Sequence, residues 1–142
     1  MSDLEIVYCS KECDIFYNHT LNIIQTFWKG VYANEERFRE ILDEIIRALE
    51  NKKVSIIIAD ARDMFVISQA DQEWILTSWY PRAVEAGFRY QGLILNKNSF
   101  SELTVKTISN KYDKSTITTK YFDSPSAALE WVREIQAMEM EN

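Results

Sequence analysis

The feature that most constrains the fold is a short apolar run that directly follows an amphipathic helix pattern. Residues 54–59 read Val-Ser-Ile-Ile-Ile-Ala, and only Ser55 interrupts the run. A strand that is apolar at consecutive positions is typical of the centre of a sheet that helices cover on both faces. Before this run, apolar residues recur at spacings of three and four over about 35–51, which predicts a helix with a single apolar stripe.

The rest of the chain extends this pattern into an α/β domain. Short links join the first three predicted strands, so we expect an N-terminal antiparallel meander. Helix–strand units follow, and strands that a single helix separates should be parallel. We therefore predict one domain over 1–142 with a mixed sheet and helices packed on it. The predicted strands are about 4–9, 13–17, 21–28, 54–59, 88–95 and 115–122, and the predicted helices are about 35–51, 69–86, 100–111 and 125–140.

Composition excludes several classes of function. The 142 residues carry a formal net charge of −6, which argues against nucleic acid or an anionic membrane as the main partner. With 3 Gly and 1 His, the chain has no glycine-rich phosphate loop, and most histidine-based catalysis is disfavoured. No cofactor is expected. The N-terminus does not resemble a signal peptide, and no apolar stretch is long enough for membrane insertion.

The remaining signals on compartment and catalysis are weak. Cys9 and Cys13 are too few to close a zinc site and are read as reduced thiols, which favours a cytoplasmic location. His19 lies in a predicted turn, where a solvent-facing side chain is the simplest interpretation.

Three charged residues follow the predicted central strand. Asp60, Arg62 and Asp63 lie where ligands bind in open α/β sheets, beyond the carboxyl end of a strand. The two carboxylates would suit a divalent metal or a division of acid and base roles. The alternative is structural, because an Asp at a strand end often caps a turn or pairs with Arg.

Aromatic residues are dense on the predicted helix 69–86. Trp74, Trp79 and Tyr80 spread over more than one helical face, so they form either core or an aromatic patch for a homodimer, a protein partner or a flat apolar ligand. Pro81 is expected to kink this helix, and Gly87 suits a left-handed end.

Several short segments resemble the STAS-domain family, the fold of the anti-anti-sigma factors, and especially its uncharacterised bacterial SpoIIAA-like branch. They are Trp28-Lys29-Gly30 at the end of a strand, Glu35-Glu36-Arg37-Phe38 at the start of a helix, 56–62 at a strand exit, and 121–131. The resemblance covers about residues 10–140. It implies a STAS-like α/β fold and a regulatory or binding role.

The resemblance also directs attention to Ser68. Anti-anti-sigma factors are phosphorylated on a Ser at the start of the helix after the central strand, and Ser68 is the nearest counterpart here. Ile67 precedes it where the family has Asp, and no Gly follows, so the motif is absent although the position fits. A helix-capping role explains the residue fully.

Three functions remain as hypotheses. The first is a non-enzymatic STAS-like regulatory or binding module, in which a protein partner or a second copy docks near 60–71 and on the Trp74/Trp79 helix. The second is a carrier of a small apolar ligand between the sheet and helix 69–86, with a pocket opened at Pro81. The third and most remote is a metal-assisted hydrolase that uses Asp60 and Asp63.

Overall fold

The computed structural model, which describes residues 3–140, sets six strands side by side in the order in which they occur along the chain. The first three pair antiparallel, and every later junction is parallel. The predicted mixed sheet with an N-terminal meander is therefore confirmed. The strands are β1 (Leu4–Cys9), β2 (Cys13–Asn18), β3 (Ile23–Trp28), β4 (Ile56–Asp60), β5 (Tyr90–Ile94) and β6 (Thr118–Phe122).

Four helical units pack on this sheet. The second unit is a continuous helical run, 69–85, with a π-helical segment in its middle. The helices are α1 (Glu35–Lys52), α2 (Gln69–Trp74), the π-helical segment (Ile75–Trp79), α3 (Tyr80–Glu85), α4 (Phe100–Lys111) and α5 (Pro125–Met140).

The helices divide unequally between the two faces of the sheet. Buried residues of α1, of the run 69–85 and of α4 share one core, on what we call the helix-rich face. Buried residues of α5 form a separate core on the opposite face, the α5 face. Strand β4 contributes Ile57 to the first core and Ile56 and Ile58 to the second. Because β4 also lies between two strands, the prediction of a central strand buried on both faces is confirmed.

Strand β3 begins two residues later than the pattern predicts. The backbone N–H of Asn22 donates to the Asn18 carbonyl at 2.8 Å, and the N–H of Leu21 donates to Asn18 Oδ1 at 3.0 Å. Asn22 adopts a left-handed φ of 55°. Residues 18–22 therefore form a turn, although Leu21 is apolar and packs into the core of the α5 face.

The chain accommodates Pro81 by changing its helix type. The N–H of Tyr80 donates to the Ile75 carbonyl, five residues earlier, which is the π-helical pattern. Pro81 has no N–H to donate and follows directly in the first turn of α3. We expected a kink at this point, and the structure has a π-helical turn immediately before the proline. Gly87 adopts a φ of 111°, so the predicted left-handed end of the helical run is confirmed.

Candidate functional site

The helix-rich face encloses a cavity of about 90 Å³. Its floor consists of residues from β3, β4 and β5, and its walls come from α1, the helical run 69–85, α4 and the loop 61–67. Met64 and Ile67 of that loop lie directly over the cavity. A cavity of roughly 150 Å³ accepts benzene, so this one accepts a smaller molecule, or a ring if a flexible side chain such as Met64 moves.

Among residues 3–140, three residues bring polar side-chain groups other than an indole to the cavity lining: Thr26, Tyr80 and Gln91. The Tyr80 hydroxyl donates to Gln91 Oε1 at 2.9 Å, and Thr119 donates to the same oxygen at 3.2 Å. Thr26 is 3% exposed, and within residues 3–140 its Oγ1 has no hydrogen-bond partner. Burial raises the pKa of the Tyr80 phenol well above its usual value. The cavity lining is therefore apolar except for the hydrogen-bonded Tyr80 and Gln91 side chains and the unpaired hydroxyl of Thr26.

Strand alternation sets these polar groups on the helix-rich face. In β3, Ile24 and Trp28 belong to the core of this face, so Thr26 between them points the same way. In β5, Leu93 belongs to that core, and Gln91 shares its side of the strand. The two strands on either side of β4 thus each bring one polar side chain into an otherwise apolar layer.

Trp79 is a core residue and not a surface anchor. It is 5% exposed, lines the cavity, and donates from its indole N–H to the Leu42 carbonyl at 2.7 Å. The hypothesis that a partner docks on an exposed Trp79 is therefore wrong. The π-helical segment ends at Trp79, and Tyr80 also lines the cavity, so the segment directs two successive aromatic rings inward.

Trp74 is half-buried and lies between two cations. The guanidinium carbons of Arg39 and Arg82 lie 5.0 and 5.5 Å from its ring centroid. Arg39 also donates to the buried carboxylate of Asp71 at 3.1 Å. These contacts join α1 to the helical run 69–85, which gives Trp74 a structural role.

The charged pair at the end of β4 lies on the opposite side of the sheet from the cavity. Asp60 shares the side of β4 that carries Ile56 and Ile58, both in the core of the α5 face. Arg62 donates to both carboxylate oxygens of Asp60, from Nε at 3.0 Å and from a terminal nitrogen at 2.7 Å. The hydrogen bond to Asp60 raises the pKa of Arg62. The structure therefore joins Asp60 and Arg62 but does not bring them to Trp74 or Trp79.

Asp63 does not complete a metal site with Asp60. It is exposed, and its backbone lies against Gly30, where an added Cβ would come within 3.3 Å of the Asp63 carbonyl oxygen. Over residues 3–140, no group of three or more acidic, Cys or His side chains is arranged to hold a metal ion. Since Arg62 already engages both oxygens of Asp60, this arrangement gives the hydrolase hypothesis no support.

Ser68 caps the start of α2. Its Oγ accepts a hydrogen bond from the N–H of Asp71 at 3.2 Å, and the residue is exposed. The carboxylate of Asp71 lies in the same first turn, so a phosphate on Ser68 would face a neighbouring negative charge. Phosphorylation of Ser68 stays a prediction.

Exposed apolar side chains cluster beside the loop that covers the cavity. Tyr32 is 71% exposed and its ring lies 5.4 Å from that of Phe65, while the next residue, Val66, is 60% exposed. Val31 is also exposed. We call Val31, Tyr32 and Val66 the rim patch.

Sequence reasoning missed Thr26 and Gln91. Both stand in strands whose neighbours are apolar, and a polar residue on the inward side of an alternating strand is a detectable signal. This signal can be interpreted only when the face of the sheet that each residue occupies is known. Gln25, for example, lies next to Thr26 and points to the other face.

Comparisons with models of known protein families, with curated proteins and with solved structures find no match. In residues 3–140 no helix combines the length and the apolar character needed to span a bilayer.

Proposed function

We propose that this protein is a non-enzymatic, STAS-like binding module that holds a small apolar ligand in the cavity of the helix-rich face. The cavity itself is the observation that carries the proposal. It lies between the sheet and the helical run 69–85, and apolar side chains dominate its lining. Binding sites for small molecules are typically concave and apolar, with a few convergent polar groups.

The order of elements supports the STAS-like part of the proposal. A leading meander followed by helix–strand units is the organisation that the family resemblance implies. Both cysteines are free thiols, which is consistent with the proposed cytoplasmic location.

Native mass spectrometry of gently purified protein tests the proposal. We expect an additional mass under native conditions that disappears on denaturation. Ala59 lines the cavity, so Ala59→Val reduces its volume and should lower the fraction of protein that carries the mass. Ala137→Val on the exposed side of α5 is the matched control and should leave that fraction unchanged. The absence of any bound mass, together with no response to added apolar probes, would contradict the proposal.

The rim patch favours a second candidate, a protein contact made by a second copy of the chain. Tyr32 and Val66 are large, exposed and adjacent to residues 60–71, and aromatic and apolar side chains are enriched at the centre of protein interfaces. This candidate keeps the expected docking region, but its central contacts are Tyr32 and Val66, in place of the buried Trp79.

Sedimentation over a range of concentrations tests this second candidate. The wild type should form a dimer, and Val66→Lys should shift it towards monomer because a lysine would be buried in the interface. Met138→Lys is the matched control, since Met138 is 65% exposed but lies on α5. A wild type that remains monomeric throughout would contradict the candidate.

A further inference from the structure

We infer that the ligand of the cavity is a small neutral molecule with one hydrogen-bonding group, such as a hydroxyl, which binds Thr26 Oγ1. This inference rests on the proposed function and adds the chemical class of the ligand. The observation behind it is that the Thr26 hydroxyl, on a residue that is 3% exposed, has no hydrogen-bond partner within an apolar cavity.

The position of Thr26 makes its lack of a partner informative. Thr26 is in the middle of β3, in register with Ile15 on one side and Ala59 on the other. Neither neighbour has a polar side chain to offer it. Buried hydroxyls are almost always hydrogen-bonded, because burial removes their contacts with water. A group that pairs only with a bound molecule explains why a valine, which has the same shape, does not occupy this position.

The oxygen of the second polar side chain in the cavity is already occupied by protein donors. Gln91 Oε1 already accepts hydrogen bonds from Tyr80 and Thr119. Strand β4 separates it from Thr26, because β3 and β5 lie on either side of β4. Among the described lining residues, Thr26 therefore carries the side-chain oxygen without a protein partner.

The lining also determines the charge of the ligand. Within the part of the chain that the structure describes, no Asp, Glu, Lys, Arg or His side chain lines the cavity. A charged ligand would lose its hydration without gaining an opposite charge, which is strongly unfavourable. The ligand class is consequently neutral, largely apolar, and limited in size by a cavity of about 90 Å³.

A comparison of two probes in two proteins tests the inference. Isobutane and 2-propanol are both smaller than benzene and nearly the same in shape, and they differ by the replacement of one methyl group with a hydroxyl. Their dissociation constants are measured by NMR titration of the wild type and of Thr26→Val, with the indole N–H of Trp79 as a reporter in the cavity wall. Comparing the ratio of the two constants between the two proteins cancels the difference in hydration between the probes, because that difference is the same in both.

We expect the ratio of the 2-propanol dissociation constant to the isobutane dissociation constant to rise about tenfold in Thr26→Val, while the affinity for isobutane changes little; a tenfold change corresponds to about 1.4 kcal/mol. Thr118→Val is the matched control, because Thr118 is an exposed strand residue outside the cavity lining, and its ratio should equal that of the wild type.

The other outcomes separate this inference from the proposed function. If both probes bind at the cavity and the ratio is the same in wild type and Thr26→Val, the inference is overturned while the proposed function stands. If neither probe perturbs the cavity residues of the wild type, the proposed function fails and the inference fails with it.

Discussion

The two faces of strand β5 differ in how tightly they are packed. On the α5 face, a Cβ added to Gly92 would lie 2.5 Å from Ile58 Cδ1 and 3.3 Å from the Trp131 ring. On the helix-rich face, the neighbouring residues Gln91 and Leu93 line a cavity of about 90 Å³. One strand thus borders a region with no room for a methyl group and a region with room for a small molecule.

This difference indicates how the molecule divides stability and binding between its two faces. On the α5 face, a methyl group at position 92 would press on Ile58 of β4 and on Trp131 of α5, so this face is closely packed there. The helix-rich face has more helices, yet it retains empty volume and an unsatisfied hydroxyl, both of which lower stability. Features that cost stability and persist are concentrated at functional sites in natural proteins.

The largest expected effect is that of Trp79→Ala, which tests whether a side chain in the cavity wall also stabilises the core. Trp79→Ala should lower the free energy of unfolding by about 4 kcal/mol, because it removes a buried ring and leaves the Leu42 carbonyl without its donor. Urea unfolding measures the change. Trp74→Ala is the control and should cost less, since that ring is half-exposed. Unchanged stability in Trp79→Ala would restore the exposed-anchor hypothesis.

Gly92→Ala tests the tightness of the α5 face. We expect a loss of about 2 kcal/mol, because the new methyl group forces buried Ile58 and Trp131 to move. Thermal and urea unfolding both report it. Backbone propensity alone would favour alanine over glycine at this strand position. A gain in stability would therefore show that α5 can shift and that the two faces do not differ in packing.

Tyr80→Phe tests the polar pair within the cavity through its pH dependence. At pH 8 the variant should lose about 1 kcal/mol, since Gln91 loses one donor. Burial raises the pKa of folded Tyr80, whereas an unfolded tyrosine ionises near pH 10. Stability from the neutral phenol is therefore complete below about pH 10 and is lost as the pH rises further, by about 1.4 kcal/mol per pH unit.

Urea unfolding of both proteins between pH 8 and pH 11 measures this effect. The wild type should lose stability faster than Tyr80→Phe above pH 10, so that their difference shrinks. Parallel curves would mean that Tyr80 ionises as readily in the folded protein as in the unfolded chain.

Thr26→Val should raise the free energy of unfolding by about 1 kcal/mol, because it replaces an unpaired buried hydroxyl with a methyl group of similar shape. Thr118→Val, on an exposed strand position, should change stability little. Differential scanning calorimetry compares the two. A clear loss of stability in Thr26→Val would indicate that the hydroxyl is already paired in the protein without ligand.

Ala59→Val gives the smallest expected effect on stability, a gain of about 0.5 kcal/mol from filling part of the cavity. Equilibrium unfolding by urea measures it, with Ala137→Val as the surface control. A loss as large as that of Gly92→Ala would remove the contrast between the two faces.

Local patterns predicted most of the fold for physical reasons that act over a few residues. The apolar stripe of 35–51 and the consecutive apolar residues of 54–59 both require burial. A helix with one buried side and a strand with two buried faces are among the few structures that bury these patterns. Asn34 and Ser68 supply the side-chain oxygens that cap α1 and α2, as their positions before helical patterns suggest. Gly87 ends the helical run with a left-handed φ that other residues adopt at a cost.

The predicted functional residues depended on facts that are not local. Asp60 is the last residue of the central strand, where strand parity directs it to the α5 face, and the nearby Arg62 engages both of its oxygens. Trp79 was one of several aromatics on a helix, and only the packing of α1 against the π-helical segment gives its indole a buried acceptor.

By itself, the sequence determined the element order, the mixed sheet and the central position of β4, because hydrophobic periodicity and turn chemistry are properties of neighbouring residues. Only the tertiary structure decided which face each strand residue occupies, where Thr26 lacks a partner, and where the helices leave a cavity. These depend on how side chains distant in sequence fill a shared volume, and no local pattern records that volume.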